Sequence, residues 1–289
     1  MERVRKRIDM FLSDWPNVLL PVSEHVKTAH GKLFRAQLML ETAKLTNFGD
    51  VTDMAAVIEL LHLATLIHDD IIDNAKMRRG IQSVQAKFGY RTAIVAGDFL
   101  ISKCFEIISH SPGGNLKYFT AALRLICLGE ALQHQYVNNT EINLANYKKI
   151  IAGKTAAMFA LAFWLSSGSG DFVKIGFDIG MAFQIADDCL DYRETPANAL
   201  KDTKSDLKQG ILTAPAIFAI ARDPSLKRNF HAKMAKEECA SFSQRIINAG
   251  GISSAFSLAE SYISRACVRL KWYHGSKNLR DMALSILRK

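Results

Sequence analysis

The sequence predicts an all-α fold, and three observations carry that expectation. Runs such as MAAVIELLHLATLIHDD (54–70) and KTAAMFALAFWLSS (154–167) are rich in Ala, Leu and Met and longer than ordinary strands. Only 6 prolines occur in 289 residues, so long helices are seldom interrupted. The 17 glycines do not cluster as they would in a chain of many hairpins.

Taken in order, helices are expected over 2–13, 33–47, 51–74, 91–110, 115–137, 143–167, 171–193, 212–222, 231–248, 252–271 and 276–288. Each is separated from the next by a turn-type cluster: DWPN, HGK, NFGD, MRRG, SPGG, SGSG, ETPAN, RDPS, NAGG and YHGS. The connections 74–90 and 194–211 are longer than a helix-to-helix link requires. No linker or low-complexity segment divides the chain, so one domain spanning 1–289 is expected.

Composition narrows the class. With 49% hydrophobic and 22% charged residues, the chain reads as a soluble globular protein. Its five cysteines (Cys104, Cys127, Cys189, Cys239, Cys267) are scattered without a Cys-x-x-Cys pair, which suggests reduced thiols in a cytoplasmic protein. The start, MERVRKRIDMFLSDW, lacks the apolar stretch of a signal peptide. The longest clean apolar run, AAMFALAFWL, falls well short of the ~20 residues that cross a bilayer. A net charge of +9 favours anionic partners, but no block of Lys and Arg interleaved with aromatics points to nucleic acid. The stretch from Arg265 to Lys289 is locally basic, which suits a solvated face or a peripheral membrane contact.

Two short motifs carry the chemistry. LIHDDIID (66–73) places Asp69, Asp70 and Asp73 in an apolar helix, with Asp69 and Asp73 four apart on one face. DDCLD (187–191) repeats the pattern with Asp187, Asp188 and Asp191. One copy could be a solvated face; two copies with the same apolar setting ask for a compensating charge. Carboxylates without His or Cys suit Mg²⁺, whose shell is completed by water and substrate phosphates. Asp70 and Asp188 are rotated about 100° from the ligand face and would support it from behind. Cations for a diphosphate accompany the motifs: Lys32 and Arg35 in HGKLFR, Arg78 and Arg79 in KMRRG, Lys154 beside Thr155 in GKTAAMF, and Lys201 in KDTKSDLKQG. His62 lies seven residues before Asp69 and so shares its helix face.

The succession GK..R, HDDIIDNAKMRRG, GDFL, GE, GKTAAMF, FQIADDCLDY and DLKQGILTAP, across roughly residues 30–215, resembles the trans-isoprenyl diphosphate synthase (polyprenyl synthetase) family. The resemblance implies a bundle of about ten or more helices around a central cavity, a homodimer, and Mg²⁺ as cofactor, three ions per substrate-bound site. The implied reaction joins an allylic diphosphate head-to-tail to isopentenyl diphosphate, with the released pyrophosphate taking the proton. Metals would sit on Asp69, Asp73 and Asp187, with Asp191 as the fourth accessible carboxylate and Asp70 and Asp188 behind them. Arg78, Lys154 and Lys201 would hold the allylic diphosphate. Lys32, Arg35, His62 and Arg79 would hold isopentenyl diphosphate. Thr155 and Gln184 would line the carbocation.

Four positions depart from the family pattern. Leu33 and Ala36 replace an Arg and a Pro, Leu200 stands where a Gly usually precedes Lys201, and Ile211 replaces a frequent Lys. These departures keep open a subunit that needs a partner. A terpene cyclase or head-to-head synthase fits less well, because neither needs GK..R and MRRG. Product length is read from LLHLATLI (60–67). Short-chain relatives carry an aromatic just before the first motif; here Ala64 and Thr65 leave room, with Leu61, Ile58 and Val57 as deeper floors. A long-chain product is therefore expected. Its apolarity would give the basic C-terminal stretch a use in release at a membrane.

Overall fold

The computed structural model describes residues 1–28, 31–111, 114–192, 206–231 and 234–288. Almost all of this is helix, as predicted, and the chain divides into two compact units: 1–120 with 162–169, and 121–161 with 170–289.

The first unit is organised by α4 (Thr52–Ile72), which packs against α1 (Glu2–Ser13), α3 (Phe34–Thr46) and α6 (Tyr90–Ser109). A helix surrounded in this way must be apolar on most sides. Accordingly Ala55, Ala56, Val57, Ile58, Leu60, Leu61 and Ala64 are all buried. In this unit two short helices escaped the sequence reading: α2 (Leu20–Lys27), which begins with a proline in its first turn, and α5 (Val84–Phe88), capped by Ser83.

The segment 74–90, expected as a long loop, holds α5 and a two-stranded hairpin. Strand β1 (Met77–Arg78) pairs antiparallel with β2 (Ile81–Gln82). Arg79 and Gly80 form its turn with φ of 50° and 84°. Two consecutive left-handed residues match the twist of a tight hairpin, usually signalled by Asn-Gly, so Arg-Gly gave no warning.

The second unit is organised by α10 (Gly170–Leu190) and α14 (Gly251–Leu270), which pack along each other. Around them lie α8 (Leu144–Ile151), α11 (Ala214–Arg222), α13 (Lys236–Asn248) and α15 (Lys277–Ser285). Buried Asp178 on α10 accepts from Arg265 at 2.7 Å and from Arg269, both on α14. Two residues of the locally basic C-terminal stretch thus have a counter-charge while remaining partly exposed. The helix expected over 143–167 is broken by a π-turn (Ala152–Ala156), after which α9 (Ala157–Leu165) continues. None of the described helices is long and apolar enough to cross a membrane.

Candidate active site

In both units the helix at the centre of the packing ends in an Asp motif. Asp73 is the C-terminal capping residue of α4, and Asp191 directly follows the last residue of α10. A helix C-terminus carries partial negative charge, so carboxylates there are disfavoured twice, by the dipole and by one another. The burial pattern follows the helical period. Asp69, Asp73, Asp187 and Asp191 are reachable from solvent, whereas Asp70 and Asp188 are buried.

The buried members hold other groups in place. Asp70 accepts from Arg78 at 3.0 Å and is paired with both ends of that guanidinium, fixing the first Arg of MRRG. Asp188 accepts from the Tyr147 hydroxyl at 2.5 Å and from the Gln184 amide at 2.7 Å. Gln184 in turn accepts from Thr155 at 2.7 Å. The Asp188 carboxyl is raised to about 7: burial pushes it up most, the hydrogen bonds from Tyr147 and Gln184 draw it down, and the charges of Asp191 and Asp187 push it up. Desolvation likewise raises Asp206, from DLKQG, well above the carboxylate range, with Asp191 and Asp188 next in effect.

Around α4 the first unit gathers the cations named in the sequence. His62 is held well below the usual imidazole range by burial first, then by Arg35, Arg79 and Arg78, which places it among all three charges. The Arg79 guanidinium lies against Gly31: a Cβ there would meet it at 2.7–2.9 Å. The loops HGKLFR and MRRG therefore touch. Lys32 sits at the same bend, where its carbonyl accepts from Gln37 at 2.7 Å. Beneath them is Glu59, on α4, which accepts the Ala36 backbone N–H at 3.0 Å.

In the second unit, Lys154 is positioned by a close approach of backbones. A Cβ on Gly153 would meet the Leu125 carbonyl at 2.5 Å and the Gly129 Cα at 3.0 Å. Gly180, on α10, admits the same turn: a Cβ there would meet the Ala156 Cα at 2.7 Å. Glycine on three sides lets the π-turn present Lys154 to Glu130, on α7 (Asn115–Gln135), at 2.5 Å. π-turns of this kind are frequent at functional sites.

Sequence reading missed the roles of Glu59, Glu130, Tyr147 and Asp206. Glu59 was legible as a lone carboxylate in an apolar run. Glu130 and Asp206 lay in recognised motifs without an assigned role, and Tyr147 carried no signal. Lys201 and Leu200 lie outside the described residues. Among the described residues, no three carboxylate, His or Cys side chains stand close enough to hold a metal ion unaided. The donors themselves suit a hard cation. Each helix end offers two accessible carboxylates, and hard cations favour such oxygen donors.

Residues 16–248 match the family profile Polyprenyl synthetase. The chain belongs to the polyprenyl synthetase family. Heptaprenyl diphosphate synthase component 2 of Bacillus subtilis is 30% identical over 276 residues, covering 89% of this chain and 78% of that protein. Geranylgeranyl diphosphate synthase of Saccharolobus solfataricus is 30% identical over 311 residues, covering 99% and 93%. Among solved structures, a polyprenyl synthase from Caulobacter crescentus, complexed with calcium and isoprenyl diphosphate, superposes with TM-score 0.91 at 27% identity over 99% of this chain and 93% of that one. Membership of this family makes the protein a prenyltransferase of the prenyl diphosphate synthase type. Its relatives differ in product length, from short-chain to nonaprenyl and solanesyl synthases.

Proposed function

We propose that the protein condenses an allylic diphosphate with isopentenyl diphosphate head-to-tail, repeatedly, to a long all-trans polyprenyl diphosphate of about six to nine isoprene units. The estimate rests on analogy with the family; helix geometry adds only that each turn opened behind the first motif admits about one more isoprene. The observation that carries the length is the wall of α4 behind Asp69. Ala64, Leu61, Ile58 and Val57 are aliphatic and wholly buried, and Thr65 has its hydroxyl turned to the His62 carbonyl at 2.8 Å. None is an aromatic that would stop a growing tail early.

In this reading Asp69, Asp73, Asp187 and Asp191 hold Mg²⁺, three ions with substrate bound, with Asp70 and Asp188 behind them. When bound, the ions neutralise the departing diphosphate and so ease ionisation of the allylic C–O bond. Arg78, Lys154 and Lys201 bind the allylic diphosphate. Arg78 and Lys154 are already aimed by Asp70 and Glu130, so little reorganisation is needed when the charge develops. Lys32, Arg35, His62 and Arg79 hold isopentenyl diphosphate, with His62 neutral and able to accept or donate a hydrogen bond. Thr155 and Gln184 present polar atoms to the carbocation. A homodimer is the assembly we propose.

A second reading, a subunit inactive alone, is favoured by the likeness to a protein named as component 2 of a heptaprenyl synthase. Leu33 and Ile211, in place of cations, point the same way. The deciding experiment is incubation of the purified chain with Mg²⁺, farnesyl diphosphate and labelled isopentenyl diphosphate, followed by product chromatography. Products of 30 carbons or more support the long-chain reading. A stop at 15 or 20 carbons retains the chemistry and overturns the length, and no incorporation turns the assignment to the partner-dependent subunit.

A further inference from the structure

Of the groups assembled around α4, one buried carboxylate has no part in the reaction as proposed. Glu59 is 9% exposed and lies one helical turn before His62. It feels the charges of both Arg35 and Arg79, and its Oε1 accepts the Ala36 amide. Burial raises its carboxyl above the usual range, and Arg35, the Ala36 N–H and Arg79 draw it back down.

The loops above Glu59 are poorly determined by their own sequence. The N-terminus of α3 has Leu33 at its capping position, with φ of 50° and a side chain that cannot cap the first-turn amides. Leucine is a costly residue in the left-handed region, and such strain persists only where surroundings over-determine it. Arg79, at the tip of the hairpin, also has φ of 50°. Two strained, non-glycine residues thus flank one cluster of like charge. Burial and the neighbouring Arg78 already lower the Arg79 guanidinium from its ordinary value.

We propose that Glu59 is the positioning residue of the isopentenyl diphosphate subsite: it caps α3 through Ala36, beside Arg35, and sets a buried negative charge near Arg35 and Arg79, whose guanidinium lies against Gly31, so that both cations stand ready for one diphosphate. The inference rests on the function proposed above. Two opposing expectations make it testable. If Glu59 were only a nearby negative charge, removing it would strengthen binding of an anion. If it positions the arginines, removing it weakens binding, and only at this subsite. Glu59→Gln keeps the size and a carbonyl to accept the Ala36 N–H but loses the charge. Gly31→Ala leaves Glu59 intact and displaces the Arg79 guanidinium from the other side.

The experiment measures KM for isopentenyl diphosphate and for the allylic diphosphate separately in wild type, Glu59→Gln, Gly31→Ala and the double variant. Thermal melting is followed in parallel. The expected result is a rise of about tenfold or more in KM for isopentenyl diphosphate in each single variant, within the range typical for loss of a supporting partner. KM for the allylic substrate should change less than about twofold, and the double variant should fall short of the product of the singles, because both act on Arg79. An unchanged or lower KM for isopentenyl diphosphate in Glu59→Gln overturns the proposal, as does an equal rise in both KM values. If Glu59→Gln does not fold, Glu59→Asp, which keeps the charge but withdraws it from the Ala36 N–H, decides by the same KM ratio. Wild type without turnover would tell against the function itself. Titration calorimetry with isopentenyl diphosphate alone then decides the role of Glu59, since equal or tighter binding by the variants removes it.

Discussion

Gly129→Ala tests whether the close approach that presents Lys154 matters to the chemistry. A Cβ at this position would stand 2.9 Å from both the Gly153 carbonyl carbon and the Ile150 carbonyl oxygen, and closer still to the Lys154 amide nitrogen. Those atoms are backbone, so no side chain can swing aside. Restoring the ~3.5 Å of ordinary contact requires α7 and the π-turn to part by roughly 0.5–1 Å. Overpacking of this kind costs about 1–3 kcal/mol, a fall of about 2–12 °C in melting temperature for a chain of this size. The displaced turn carries Lys154 away from Glu130 and Thr155 away from Gln184. A shift near 1 Å in catalytic groups lowers kcat by about 10²-fold. The assay is steady-state turnover with labelled isopentenyl diphosphate together with a thermal melt. Gly170→Ala is the control: that glycine opens α10, its added Cβ meets nothing within 4 Å, and it should be neutral or stabilising by up to about 1 kcal/mol. Gly129→Ala with wild-type kcat and a melting temperature matching the control would refute the reasoning.

Other perturbations test separate parts of the site. Asp69→Ala should lower turnover by several orders of magnitude while leaving the helical circular dichroism unchanged; a mild kinetic loss would remove its assigned role. Tyr147→Phe deletes the 2.5 Å bond to buried Asp188, and should cost about 1–3 kcal/mol of stability and raise the Mg²⁺ needed for half-maximal rate by about tenfold. Unchanged melting and Mg²⁺ dependence would contradict it. His62 is depressed in the folded protein, so the unfolded chain binds more protons below about pH 6.5. Its contribution is complete above that pH and declines as pH falls, by up to about 1.4 kcal/mol per unit. Melting curves of His62→Gln should therefore lose less stability than wild type between about pH 7.5 and about pH 5.5, and parallel losses would exclude the effect. Ala64→Phe places an aromatic in the corridor and should shorten the product with little change in the first condensation; an unaltered product distribution would remove Ala64 from the length determinant.

What the sequence by itself determined was what local periodicity can encode. The 3.6-residue repeat placed Asp69 with Asp73, and Asp187 with Asp191, on accessible faces and turned Asp70 and Asp188 inward, as the burial pattern shows. Apolar length marked 54–70 and 154–167 as helical, whereas the packing of neighbours around α4 and α10 came only with the structure. Tertiary structure decided the rest, since the deciding partners are distant in sequence or depend on backbone conformation. Nothing local tells Tyr147 that it will meet Asp188, or Glu59 that it will cap α3. Arg-Gly does not announce a hairpin, and GKT does not announce a π-turn. Arg265 and Arg269 read as surface charge until the packing of α14 on α10 buried Asp178 and gave them a counter-charge. Burying the Asp178 carboxylate is tolerated only because these partly exposed arginines neutralise it, a cost and a remedy that exist only once the chain has folded.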